Sequence, residues 1–492
     1  MDTLPLAEGL SREYLLHHRV CPTGYDDTGA LIVAAAPDAW LEDALDDLGL
    51  VYRAATTVRE TTAEEVERLI ERLSTRAERS IELARVDGDV GDALAADVRD
   101  LANQPPVVRY VNLLVKDAYD AGASDIHLEA TRAGLSARFR LDGVLTPAPE
   151  APAELHHAVV SRIKLLAELD IAERRRPQDG RIRVRLEARE LDLRVSTVPT
   201  MYGESVVLRL LDRGGRPVGL DELGMPRAIL SQMMALARKP HGMLLVTGPT
   251  GSGKTTTLYA ALKAREAPAE KLITVEDPIE YQLPGVTQVP VHRQAGVTFG
   301  AALRSILRQD PDVIMIGEMR DAETAEIAVQ AAMTGHLVFS TLHTNDAVSA
   351  VPRLIDLGVP DYLVAATVEA VLAQRLVRCI CPACREAYEP SAESVVRVLG
   401  ERPTSRALEA RRFVRGAGCA HCRGTGYRGR VGVFELLVLT DALKEAVVKG
   451  ASRAELEQMA TASGKRSLAH DGWEKVQAGL TTVEEVLRVV QQ

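Results

Sequence analysis

A chain of 492 residues has room for about three domains, and with 46% hydrophobic residues it can fill several cores. Its net charge of −10 argues against a protein that coats nucleic acid, which would show a basic domain, and only 4% of its residues are aromatic. No apolar run approaches the roughly 18 residues of a membrane span, and Met1-Asp-Thr-Leu-Pro-Leu6 lacks the basic-then-apolar order of a secretory signal, so a cytoplasmic location is expected. In chain order, residues 31–36 read as a buried strand, 39–48 as a helix and 51–57 as a second strand. Together they make a small α/β module within residues 1–80. Cys21 lies alone there and reads as a structural thiol. Thr62 and Glu65 match a capping box, so a helix is predicted from there to about residue 78. Residues 81–104 are charged, hold Gly88 and Gly91, and read as a linker.

A second module, 105–219, opens with Val107, Val108, Val111, Leu114 and Val115 at helical spacing and a helix stop at Gly122. Residues 135–141 alternate as a strand, Asp142-Gly143 is a turn dipeptide, and 146–152 is a Pro-rich loop. A helix (154–169) and strands at 182–186, 191–198 and 205–211 follow, which makes an α+β domain. His127, taken alone, reads as a turn or surface histidine. In residues 220–357 four short apolar strands, 243–247, 272–275, 313–316 and 337–341, alternate with helical patterns as in a parallel α/β sheet. Residues 358–492 read as mostly helical, with capping-box starts at Ser452/Glu455 and Thr481/Glu484.

Chemistry concentrates at the ends of the four apolar strands. Gly248-Pro-Thr-Gly-Ser-Gly-Lys-Thr255 fits G-x-x-x-x-G-K-[ST], between an apolar strand and a helix-prone run. Its glycines let Gly248, Thr250, Gly251, Ser252 and Gly253 turn backbone N–H groups toward a phosphate, helped by the helix N-terminus; Pro249, which has no N–H, completes the loop without donating. Lys254 would reach the β- and γ-phosphates, and the Thr255 hydroxyl would ligate Mg²⁺. Strand 272–275 runs into Glu276, Asp277 and Glu280, where a carboxylate can orient an attacking water. Strand 313–316 ends in Gly317-Glu-Met-Arg-Asp321. It holds the position of a Walker B strand, with Gly317 and Glu318 where an aspartate is usual; Glu318 could hold Mg²⁺ through a water. Arg320 follows, with Asp321 beside it as an alternative partner. His336 and His343 bracket strand 337–341 and could sense the γ-phosphate or a neighbouring subunit; packed structural imidazoles are the alternative.

Six cysteines are present, and four form C-x-x-C pairs, Cys381/Cys384 and Cys419/Cys422. Thiolates at that spacing complete a tetrahedral zinc site, here with a long inserted loop between the pairs. Cys379 is an extra cysteine out of register, and His421 is a competing ligand. Zinc element and loop fall within 379–430.

As a set, these motifs resemble the type II secretion and type IV pilus assembly ATPases, most closely the GspE/PulE branch. Gly248–Thr255 is similar to that family's Walker A, 276–280 to its aspartate box, 317–321 to its atypical Walker B and 334–343 to its histidine box. The paired cysteines are similar to its zinc element, and Ser124–Glu129 with 138–143 to its second N-terminal domain. The resemblance implies a multidomain fold of α/β and α+β parts. These are a P-loop RecA-like ATPase core, a PAS-like α+β domain before it, and a four-cysteine zinc element plus helices after it. It makes Glu280 the catalytic carboxylate, Glu318 the Walker B acid, and His336 and His343 the histidine-box pair. It also matches Arg194 and Arg209 to arginines that reach the nucleotide from the N-terminal domain. ATP, Mg²⁺ and Zn²⁺ are the implied cofactors. The implied partners are five further copies in a homo-hexamer and inner-membrane platform proteins of the GspL and GspF types, with docking through the N-terminal module. Type II secretion is expected over pilus extension because the N-terminal region is short. A nucleic-acid or DNA-uptake motor and a non-hydrolysing nucleotide switch are the competing classes; no nucleic-acid partner is expected.

Overall fold

The protein is described here from a computed structural model that covers residues 12–77 apart from 27, 38, 40 and 53, and then 105–186, 189–212, 218–265, 269–399 and 413–490. The predicted linker, 81–104, lies outside the described residues. The chain divides into two compact units, Met1–Asp212 and Arg213–Gln492.

The first unit opens with a three-stranded sheet, β1 (Val20–Tyr25), β2 (Leu31–Ala35) and β3 (Thr56–Glu60), in which β2 pairs antiparallel with β1 and parallel with β3. Helix Leu41–Tyr52 packs Ala44 and Leu48 into its core, one turn apart. The helix runs into the strand expected at 51–57, because Tyr52 continues that apolar face; the strand begins only at Thr56. Helix Ala63–Ala77 starts as predicted, with the Glu65 amide donating to the Thr62 hydroxyl at 3.3 Å. Cys21 is buried in this core, and burial pushes its thiol up to about 12, as befits a packing residue.

The rest of the unit is a six-stranded antiparallel sheet in the order β6-β5-β4-β9-β8-β7. Its strands are β4 (Ala123–Thr131), β5 (Gly134–Leu141), β6 (Val144–Pro147), β7 (Gln178–Leu186), β8 (Arg189–Thr200) and β9 (Gly203–Asp212). Helices Pro105–Asp120 and His156–Leu166 share its core: Val107, Val111, Leu114, Val159 and Ile163 bury against Ile126, Phe139, Leu193 and Leu208. Alternation along the strands then sends polar side chains to the other face. His127 is a half-buried residue on β4 rather than a turn histidine. One in-register row crosses this face: Arg140, Asp125, Arg209, Arg194 and Arg181.

The second unit is built on a seven-stranded sheet in the order β12-β11-β13-β14-β10-β15-β18. Here β10 (Gly242–Thr247), β11 (Leu272–Glu276), β12 (Val286–Pro290), β13 (Val313–Ile316), β14 (Leu337–Leu342) and β15 (Val368–Ile380) run parallel, and β18 (Tyr427–Val438) closes the edge antiparallel to β15. Helices cover both faces, so β10 and β14 are buried at every position, the pattern of a parallel sheet. The helical reading of residues after 357 is corrected here. Two long strands, β15 and β18, extend the core sheet across the expected boundary at 357/358 before the four closing helices, Asp441–Val448, Arg453–Ala462, Leu468–Gln477 and Val483–Val490. Ser452 caps its helix as predicted, accepting from the Glu455 amide. The last helix is capped one residue later than expected: Thr482 accepts from the Glu485 amide at 3.2 Å, and the Thr481 hydroxyl instead donates to the Arg378 carbonyl. Among the described residues no helix is long and apolar enough to cross a membrane.

Candidate active site

The loop 248–253 leaves the carboxyl end of β10, the fifth strand of the sheet order, where open α/β sheets bind ligands. Gly248, Gly251 and Gly253 have φ of 148°, 78° and 85°, values that side chains disfavour. Two of them also lack room: a Cβ on Gly248 would collide with the Gln374 carbonyl oxygen, and one on Gly253 would lie 2.8 Å from Gln374 Nε2. Helix Lys254–Lys263 begins directly after, with no side chain capping its first turn. Lys254 bends back over the loop, its Nζ donating to the Gly248 and Pro249 carbonyls at 2.8 and 3.0 Å. Burial lowers its ammonium pKa to about 8, against the opposing pull of Glu318. The Ser252 hydroxyl is buried without a hydrogen-bond partner among the described residues. An ammonium parked on its own loop's carbonyls, uncapped amides and an orphaned hydroxyl fit a triphosphate with Mg²⁺ on Thr255.

Glu318 follows β13 and lies beside this loop. Its carboxylate pairs with Arg320 Nε at 2.7 Å and approaches His343 Nε2 at 3.7 Å. Arg320 therefore pairs with Glu318 and not Asp321, which caps helix Ala322–Met333 through the Thr324 amide at 2.8 Å. The turn after β13 is tied to β14: Thr341 donates to the Gly317 carbonyl at 2.7 Å, and the Met319 amide donates to the Thr341 carbonyl. These ties place His343, at the carboxyl end of β14, next to Glu318. Burial and the nearby Lys254 charge lower the His343 pKa, so the imidazole is neutral at neutral pH. His336 sits at the other end of the same strand, its Nδ1 2.9 Å from the Ala331 carbonyl oxygen and 3.1 Å from the Thr334 hydroxyl. The histidine pair is thus separated by the length of β14, and only His343 belongs to the phosphate end. A strand of six residues cannot bring both of its ends to one loop.

The acidic turn after β11 divides in the same way. Glu276 is buried and committed: it accepts from Tyr259, from the Thr274 hydroxyl at 2.5 Å and from Gln288 Nε2 at 3.1 Å. Asp277 meets Arg293 at 3.4 Å on the surface. Glu280 is half-buried, and its carboxylate has no hydrogen bond or ion pair to another described residue. Glu276 is thereby closed to a water, Asp277 is drawn to Arg293, and Glu280 is left without a competing partner among the described residues. Gln288 fixes the turn that carries it, donating to the Tyr281 carbonyl at 3.2 Å and accepting from the Leu283 amide at 2.8 Å. Tyr259, Gln288 and Gln374 were not singled out in the sequence. For Tyr259 and Gln374 the signal is a polar residue within a buried stretch, which must find a partner there; Gln288, on the half-exposed β12, carries no such signal.

Arg194 and Arg209 lie in the first unit as cross-strand neighbours. Arg209 Nε holds Asp125 at 2.9 Å and is 55% exposed, while Glu204, on the same strand, is taken by Lys164 at 2.8 Å.

The four paired cysteines converge at the ends of β15 and β18, with all sulfurs within 4.8 Å of one another. The Cys381–Cys419, Cys384–Cys422 and Cys419–Cys422 sulfur separations are 3.9, 3.8 and 3.8 Å. A tetrahedron with Zn–S of about 2.3 Å has edges of about 3.8 Å. The Cys419 and Gly426 amides each point at Cys422 Sγ from 3.2 Å, as they would toward a thiolate. His421 turns away, its ring against Arg428, and neither it nor Cys379 belongs to the cluster. The donor set fits zinc. The inserted loop contributes a two-stranded sheet, β16 (Arg385–Tyr388) with β17 (Phe413–Gly416), and helix Ala392–Leu399.

Residues 100–488 match the family model described as type II/IV secretion system protein. The chain is 47% identical over its whole length to type II secretion system protein E of Xanthomonas campestris pv. campestris, covering 86% of that protein. It is 43% identical over 97% of its length to the type IV pilus assembly ATPase PilB of Myxococcus xanthus, covering 85% of that protein. Among solved structures, the pilus retraction motor PilT with bound ADP is similar over 76% of this chain and 95% of its own, with TM-score 0.50 and 26% identity.

Proposed function

The chain belongs to the type II/IV secretion system protein family, and on that premise we propose that it is the ATP-hydrolysing motor of a type II secretion system. The observation that carries this reading is the convergence of Lys254, Glu318 and His343 on one glycine loop at the carboxyl ends of a parallel sheet. In turnover, Lys254 exchanges the Gly248 and Pro249 carbonyls for the β- and γ-phosphate oxygens of ATP, and loop amides hold the remaining oxygens. Thr255 and Glu318 would hold Mg²⁺, which would supply neutralising charge on the phosphates. Glu280 orients the attacking water, and His343, neutral and beside Glu318, reads the γ-phosphate side. Catalysis of this kind is mostly positioning and charge stabilisation. Glu276 is excluded from that role because three donors already occupy its carboxylate.

Arg194 and Arg209 are proposed to take part in turnover on the family resemblance, His336 to act away from the phosphates, and the zinc to brace the ends of β15 and β18. A homo-hexamer that docks through its N-terminal module on GspL- and GspF-type platform proteins at the inner membrane completes the proposal. Pilus extension is the second reading, favoured by the near full-length similarity to PilB. Deleting the gene in its host tests both. Loss of exported proteins from the medium, restored by the wild-type chain and not by Glu280→Gln, supports secretion. Intact export with loss of surface pili supports the second reading.

A further inference from the structure

Gln374 is an anomaly in β15. It is 2% exposed, between the buried Arg375 and Ala373, which pairs with Thr247 at the root of the phosphate loop. Its backbone oxygen occupies the space a Cβ on Gly248 would need, and its Nε2 lies 2.8 Å from where a Cβ on Gly253 would sit. Its Oε1 accepts from the Thr257 hydroxyl at 2.6 Å, and Thr257 is fully buried in the first turn of helix Lys254–Lys263. Its other neighbour in the sheet is Phe434 on β18. One residue therefore touches the first glycine, the last glycine and the helix that follows them, across 117 or more positions of sequence. The Thr257 bond also orients the amide: with Oε1 engaged, the N–H₂ end faces the loop, the polarity that suits an anion above it.

We propose that Gln374 is a positioning residue for nucleotide binding, a buried template that sets the span of the phosphate loop from outside the glycine motif and aims a donor at its underside. A loop held in its bound shape loses less freedom when phosphate arrives, so the template acts on affinity more than on folding. The inference rests on the reading of loop 248–255 as an ATP site.

The test uses the full chain, with ATP–Mg²⁺ and ADP titrated calorimetrically and the thermal midpoint of nucleotide-free protein measured alongside. Gln374→Met keeps length and loses the donor; it is expected to weaken ATP binding about tenfold. Gln374→Glu keeps the acceptor for Thr257 but puts negative charge under the loop; about a hundredfold loss is expected. Thr257→Val should match the Met variant, and the double variant Gln374→Met/Thr257→Val should bind no worse than either single one, since both act through one bond. Restored binding in Gln374→Glu at low pH, where the carboxyl is protonated, would further support the charge argument. Affinity unchanged in all variants, or falling only in step with thermal midpoint, overturns the positioning role. Failure of the unaltered chain to bind ATP would instead remove the nucleotide reading.

Discussion

Lys254 shows how one residue's surroundings set a measurable pH dependence. Without nucleotide its ammonium is partly buried and its pKa lies at about 8. Phosphate oxygens favour the charged form, so binding above that pH must take up a proton. ATP affinity is expected to be level from pH 6 to 7 and to fall as pH rises through about 8. Calorimetry at pH 8.5 in buffers of different ionisation heat should show proton uptake in the wild type and none in Lys254→Met; equal heats across buffers in both would contradict it. Glu280→Gln should keep ATP binding and lose roughly 10²–10⁴-fold in turnover, the worth of a positioned acid–base group. Near-normal turnover would pass the water-orienting role to Glu318. At this scale the sequence was legible wherever a residue sits in a spaced motif: the glycine loop, Lys254 and the cysteines stand where the spacing put them. It was not legible where burial decides between equals. Glu276 and Glu280 are both glutamates in one acidic run, yet packing against Tyr259 and Gln288 turns the first into structure. His336 and His343 look alike in sequence and differ only in which end of β14 they occupy.

Elements were legible in proportion to how clearly their period showed. Four of the five short strands of residues 220–357 end in polar turns and are legible to within a residue or so of their ends; the half-exposed β12 is not among them. β15 is hard to read because Val368–Ile380 mixes three valines with helix-favouring Glu, Ala, Leu, Gln and Arg and is buried on both faces, so no period of two appears. β18 has a buried second half, which hides its alternation in the same way. The four-cysteine cluster follows from these strands, because the turns at their ends bring Cys381 and Cys384 to Cys419 and Cys422. Metal analysis of protein purified without chelator is expected to give about one zinc per chain. Cys381→Ser/Cys419→Ser should lose it and open the region from β16 to β17 to proteolysis. Well-folded wild-type protein without zinc would refute the site. The buried network on β11 gives a separate test. Tyr259→Phe removes one of the donors to a buried carboxylate whose pKa burial already raises, and should cost about 1–3 kcal/mol of stability. An unchanged denaturation midpoint would show that the hydroxyl does not hold Glu276.

Across the whole molecule, the two units are built on different sheets: a small mixed sheet and a six-stranded antiparallel one in the first, a mainly parallel one in the second. The parallel sheet accounts for nucleotide binding through its own residues. Arg194→Ala and Arg209→Ala therefore should leave ATP binding and folding in place and lower turnover. Turnover unchanged in both would remove the arginines from the account. The central claim is that loop 248–255, Glu280 and Glu318 form a hydrolytic site, and steady-state ATP hydrolysis by the assembled full-length chain with Mg²⁺ tests it most directly. Sustained phosphate release that Lys254→Ala abolishes, and that Glu280→Gln abolishes while still binding ATP, is the predicted result. ATP binding without turnover in the wild type, or turnover indifferent to both substitutions, would contradict it.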